Sequence, residues 1–335
     1  MPTTATLAAT GLVVGTVAVA VSRRLRPTPR LGVDLADPLL RPPVTAPEVR
    51  TVTSADGTDL HVELHGPVDA PALVLSHGWT CSTQYWNPQV HAFAGAHRVI
   101  TYDQRGHGRS EAWSGRLSPD TLAEDLAAVL EATLAPGRRA VLVGHSMGAM
   151  SVVAWAGRHP EQVRRRVGAA LLASTAVDGL VAGSMLFRLP TGHPRLLTAI
   201  GRAVLTAPTP VLAPSPLSHR LIRYAALSPS ATEDQVSFCE QIVLDCPPRV
   251  RSGWGDTLRT LDLRAAVASL TVPTTVLVGT ADRLTPPPQA RALAATLREH
   301  GHLERLVELP GVGHMSTVEA PAAADAEIRH LLELS

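Results

Sequence analysis

The chain has 335 residues, 30 basic and 29 acidic side chains, and a formal charge of +1. A hydrophobic fraction of 45% against 18% charged excludes a disordered chain, and the charge balance excludes a broad nucleic-acid surface, which needs a clustered basic excess. The only cysteines, Cys81, Cys239 and Cys246, are too few and too widely spaced for a disulfide framework.

Met1 to Ser22 carries no charged side chain, and the apolar run Leu7 to Val21 is followed at once by Arg23, Arg24, Arg26 and Arg30. At the short end of spanning length, residues 1–26 read as a membrane anchor. The flanking arginines then place the large domain in the cytoplasm, as a single-pass membrane protein. A secretory signal ending near Ala18-Val19-Ala20, and hence a secreted protein, is the rival; the segment lacks the positive leading region such signals carry. Prolines at 27, 29, 38, 42, 43 and 47 make residues 27–47 an extended linker, or else a strap on the domain surface.

Glu48–Thr53 and Leu60–Leu64 alternate around Asp56-Gly57 and predict a hairpin. Short apolar runs at Ala72–Ser76, Arg98–Tyr102, Ala140–Val143, Val167–Ala173, Thr274–Val278 and Leu303–Leu309 predict strands of a buried parallel sheet. Helical spacing at Pro119–Leu134, Met147–Arg158, Pro286–His300 and Ala322–Leu334 alternates with them, with Ser118 as an N-cap. Residues 176–260 break the rhythm with helical pieces and no strong strand. They divide a core of 48–175 and 261–335.

Gly144-His145-Ser146-Met147-Gly148 lies between a strand and a helix. A turn that tight strains its central residue and lifts the Ser146 hydroxyl above the sheet. The Met147 N–H, at a helix N-terminus, points toward the same place. Serine needs a base, and His314 stands between glycine and methionine after the last strand. The base needs a carboxylate, and Asp282 follows the strand Thr274–Val278; Asp256 and Asp262 are lesser candidates. Trp79, in Ser76-His77-Gly78-Trp79, offers a second N–H for an oxyanion. His77 and His107 read as loop organisers. His61 and His65 lie four apart on a strand, too far apart to share a metal. Without lysine no phosphate-binding Gly-x-x-x-x-Gly-Lys loop exists. No metal and no cofactor is expected.

These segments, with Tyr102-Asp103-Gln104-Arg105-Gly106-His107-Gly108-Arg109-Ser110, resemble the α/β-hydrolase superfamily in its lid-bearing, serine-nucleophile branch over about Val49 to Leu334. The resemblance implies an α/β fold with a mostly parallel eight-stranded sheet, helices on both faces and a helical lid at 176–260. It implies an enzyme with Ser146, His314 and Asp282 as triad and the Trp79 and Met147 N–H groups as oxyanion hole. The expected reaction is hydrolysis of a carboxylic ester through an acyl-enzyme, with a small acyl compound as partner. Acyl transfer, cofactor-free perhydrolysis or carbon–carbon bond hydrolysis on the same triad are alternatives, and a non-catalytic ligand-binding relative is a reading of a different class. Leu180, Val181, Met185, Leu186, Phe187, Leu196, Leu197, Ile200, Val204 and Leu205, together with the anchor, favour a lipophilic ester.

Overall fold

A computed structural model describes residues 35–112, 115–184 and 215–335. Strand β1 (Glu48–Thr53) turns at Asp56-Gly57 into β2 (Asp59–His65), the turn needing the positive φ of 88° at Gly57. Strands β3 (Ala72–Ser76), β4 (Arg98–Tyr102), β5 (Ala140–His145), β6 (Val167–Ala173), β7 (Thr274–Gly279) and β8 (Leu303–Leu309) complete one sheet. Its order is β1-β2-β4-β3-β5-β6-β7-β8, and β2 alone runs against its neighbours. The expected eight-stranded, mostly parallel sheet is thus the one observed.

Every residue of β3, β5 and β6 is buried, as strands covered on both faces must be. Period-two alternation divides them between two cores. Val74 and Leu142 face α2 (Pro119–Thr133) and α3 (Met147–Arg158) on one side. Leu73, Leu75, Val141 and Val143 face Tyr85, Trp86, Phe93 and Ile328 on the other. Those partners come from α1 (Asn87–Phe93), the turn before it, and the closing helix 321–334. Ser118 caps α2 through a reciprocal bond with Thr121, satisfying N–H groups the helix cannot. A short α4 (Pro160–Arg166) ends in Arg164, Arg165 and Arg166, which complement the helix dipole.

Between β6 and β7 the described residues form α5 (Leu180–Gly183), α6 (Pro216–Ala226), α7 (Glu233–Asp245) and α8 (Pro248–Thr260). Trp254 of α8 is fully buried and donates to the Arg105 carbonyl at 3.0 Å. The apolar positions from Met185 to Leu205 lie outside the described residues. The chain closes with α9 (Pro287–Glu299), α10 (Ser316–Glu319) and α11 (Pro321–Leu334). Cys81, Cys239 and Cys246 are free and buried, and burial holds each thiol well above its usual range.

Two N-terminal expectations change. Among the described residues no helix is long and apolar enough to cross a bilayer. The single-pass placement, its cytoplasmic assignment and the membrane partner are therefore withdrawn; the segment 1–26 and its rival signal lie outside the described residues. Within 27–47, residues 35–41 are bound to the fold, while Val44 beyond them is fully exposed. Asn87 donates to the Leu40 carbonyl at 3.0 Å, the Asp37 N–H donates to Asp234 at 2.7 Å, and Leu40 is 2% exposed. Leu40→Ala should lower unfolding free energy by about 2–4 kcal/mol in urea titration, as for a core leucine. A solvated linker would give no change.

Candidate active site

β5 ends at His145 and α3 starts at Met147, so Ser146 alone reverses the chain. Its φ of 52° and ψ of −116° lie where L side chains are strained. The Ser146 N–H bonds the Ala173 carbonyl at 2.9 Å, and the Thr175 hydroxyl donates to the Ser146 carbonyl at 2.9 Å. A Cβ at Gly148 would overlap the Ser76 carbonyl, and one at Gly78 would come within 2.7 Å of His145 Nδ1. Glycine at these two positions is what lets the start of α3 and the loop after β3 close on the elbow. Among the described residues, the non-glycine positions with positive φ are Thr80, Ser146 and Ser174, just past the carboxyl ends of β3, β5 and β6. Backbone strain is concentrated at one edge of the sheet.

His314 sits in the loop after β8, with Nδ1 2.9 Å from Asp282 Oδ2. Asp282 is 1% exposed and His314 5%. Asp282 Oδ1 accepts the N–H groups of Leu284 and Thr285 at 2.8 and 2.9 Å, and Oδ2 also accepts the Thr285 hydroxyl at 2.9 Å. A carboxylate so surrounded is an acceptor, so the imidazole proton sits on Nδ1 and Nε2 keeps its lone pair. Asp256 and Asp262 instead lie at the surface, paired with Arg259 and Arg264.

Ser146 joins this pair through its neighbour. His145 Nε2 is 2.9 Å from the His314 carbonyl, and the two imidazole rings are 5.0 Å apart. Among the described residues no hydrogen bond links the Ser146 hydroxyl to His314 itself. Such bonds are often long in empty sites and tighten around substrate. His145 also stacks on Tyr85 at 4.5 Å, and burial drives its ring pKa far down, so it remains neutral. Its role escaped sequence reasoning although it stands inside the motif. Thr285 also escaped; its spacing of three after an aspartate is an N-cap-like signal.

Among the described residues, neither the Met147 nor the Trp79 N–H has a hydrogen-bond acceptor. The Trp79 indole is tied to α8 by a 3.0 Å bond to the Arg251 carbonyl. Its backbone is set by two histidines. His77 Nε2 accepts the Gln104 N–H at 3.0 Å while Nδ1 donates to the Gly78 carbonyl at 2.8 Å. His107 Nε2 accepts the Thr80 N–H at 3.2 Å while Nδ1 donates to the Arg105 carbonyl at 3.2 Å. Asp103 accepts the N–H groups of Thr83 and Arg109 at 2.7 and 2.9 Å, joining the same two loops.

Residues 73–326 match the family described as the alpha/beta hydrolase family. The bifunctional esterase/perhydrolase DCH of Acinetobacter calcoaceticus is 41% identical over 111 residues, covering 32% of this chain and 39% of that protein. The 3-oxoadipate enol-lactonase 1 of Acinetobacter baylyi is 26% identical over 273 residues, covering 81% of this chain and 91% of that protein. The crystal structure of the esterase RhEst1 from Rhodococcus sp. ECU1013 aligns with a TM-score of 0.69 at 24% identity, covering 86% of this chain and 99% of that one, a likeness of fold. The first match spans well under half of its relative; the other two span nearly all of theirs.

Burial lowers the His77 pKa to about 4 and, with His77 beside it, that of His107 to about 3. Both rings stay neutral in the fold, whereas the unfolded chain protonates near pH 6.5. Their stabilisation is complete above that pH and is lost as pH falls toward about 4 and about 3, at roughly 3 kcal/mol for His77. Urea midpoints should therefore decline below pH 6. His107→Gln should flatten that decline; an unchanged slope would mean the ring is not held neutral.

Proposed function

The chain belongs to the alpha/beta hydrolase family, and we propose that this hydrolase cleaves a carboxylic ester through an acyl-enzyme formed on Ser146. The observation that carries the reading is a strained serine elbow adjoining a buried His314–Asp282 pair, with two N–H groups open beside it.

Ser146 Oγ attacks the ester carbonyl carbon while His314 Nε2 takes its proton. The imidazolium is held by Asp282 through Nδ1–H, and the carbonyl oxygen, now anionic, is bound by the Met147 and Trp79 N–H groups. Collapse breaks the acyl–oxygen bond, and the alkoxide leaves with the proton from Nε2. Water then attacks the acyl-enzyme, giving its proton to His314. Collapse frees the carboxylic acid and returns that proton to Ser146. Each oxyanion donor is worth about 3 kcal/mol in the transition state. We read the insertion 176–260 as the cap that keeps water from this chemistry. In support, α6 ends against the His314 loop and α8 against Trp79. The preference for a lipophilic ester rested on the anchor together with apolar positions that, from Met185 to Leu205, lie outside the described residues, and it is not carried forward. The match to an esterase/perhydrolase favours one second reading, in which hydrogen peroxide replaces water in deacylation and a peracid leaves.

Ser146→Ala should reduce turnover of a short p-nitrophenyl ester by about 10⁶-fold with little change in melting temperature, and Asp282→Asn by about 10⁴-fold. A fluorophosphonate should label Ser146 in the wild-type protein alone. Wild-type rates in Ser146→Ala, or a folded wild type that resists the probe, would overturn the nucleophile.

A further inference from the structure

The last turn of α6 is clasped by the loops that carry His314 and Asp282. The Ala226 carbonyl accepts the N–H groups of both His314 and Met315, at 3.0 and 3.1 Å. Arg283, next to Asp282, donates to the Tyr224 carbonyl at 2.8 Å and lies over the Tyr224 ring at 4.7 Å. Gln235 of α7 donates to the Val318 carbonyl at 3.0 Å. One side chain bridges both partners of this clasp. Glu319 Oε2 accepts the Ser228 N–H at 2.8 Å and the Gly313 N–H at 3.2 Å. Ser228 follows α6 by two residues and Gly313 precedes His314, so a single oxygen holds the insertion and the base loop together. The other oxygen, Oε1, is buried with no hydrogen-bond partner among the described residues. A charged group half-buried at such a site is costly unless its bonds are used.

We propose that Glu319 is a positioning residue for the base: it fixes His314 by joining the Gly313 and Ser228 N–H groups on one carboxylate oxygen. The inference rests on the reading of His314 as the base. It requires an acceptor at the Oε2 position rather than a negative charge. Glutamine places a carbonyl oxygen there, and alanine places nothing. A base displaced by about 1 Å loses up to 10²-fold in rate. Substrate binding, which does not involve Glu319, should change little.

The test compares full-length wild type, Glu319→Gln and Glu319→Ala in steady-state ester hydrolysis and in amide-resolved hydrogen exchange. Glu319→Ala should lose about 10- to 100-fold in kcat with KM within about threefold, while Glu319→Gln keeps most of kcat. Exchange at Gly313 and Ser228 should be slow in wild type and Glu319→Gln and fast in Glu319→Ala. Wild-type kcat in the alanine variant, or an equal loss in the glutamine variant, would overturn the positioning role. Should the alanine variant not fold, fast exchange at both amides in the wild type would still remove the clasp, and slow exchange there with kcat kept in Glu319→Gln would support it. A wild type that turns over no ester counts against the hydrolytic reading, whereas an active wild type with unprotected amides counts against the clasp alone.

Discussion

Parallel pairing in register is the constraint on which this molecule depends. Ser76 pairs with both Tyr102 and Gly144, His145 with Ala173, Ala173 with Leu277, and Gly279 with Leu309. The carboxyl ends of β3 to β8 therefore stand at one level, and the loops that leave them rise on one side. Such an edge is where open α/β sheets place ligands, because the loops there are free of sheet hydrogen bonding. Trp79, Ser146, Asp282 and His314 are spread over more than two hundred positions of sequence. Strand register, not chain proximity, makes them neighbours.

Histidines crowd this edge, and burial sorts them. His77, His107 and His145 each face a backbone carbonyl and are driven toward the neutral form. A carbonyl dipole fixes a tautomer but does little for a full positive charge. His314 alone of these four faces a carboxylate, one anchored in turn by Leu284 and Thr285. It is the ring of the group whose protonated form has a dedicated counter-charge.

The sheet was readable because its strands are short apolar runs bounded by turns, a pattern that solvent exclusion imposes locally. The proposed site was readable for a related reason. Glycines flank Ser146, a glycine precedes His314, and Asp282 follows a strand, so each carries its structural context within five residues. Contacts between distant segments left no such trace. Glu319 meets Ser228 across 91 positions, and His145 meets His314 across 169. Leu35 and Leu40 looked like spacers because prolines surround them, yet both side chains are buried in the second core, and Asn87 and Asp234 bond the backbone beside them. The N-terminal run was apolar enough to suggest a span, but it lies outside the described residues, and among those no helix is long and apolar enough to cross a bilayer.

The three cysteines carry a practical consequence. Thiol chemistry proceeds through the thiolate, and here every sulfur is enclosed and kept protonated. Maleimides and iodoacetamides find no ready target on the native chain. A single cysteine introduced on an outward helix face becomes an exclusive handle for a fluorophore or spin label. Spectroscopists thus inherit a background already silent, without first having to delete residues from the interior.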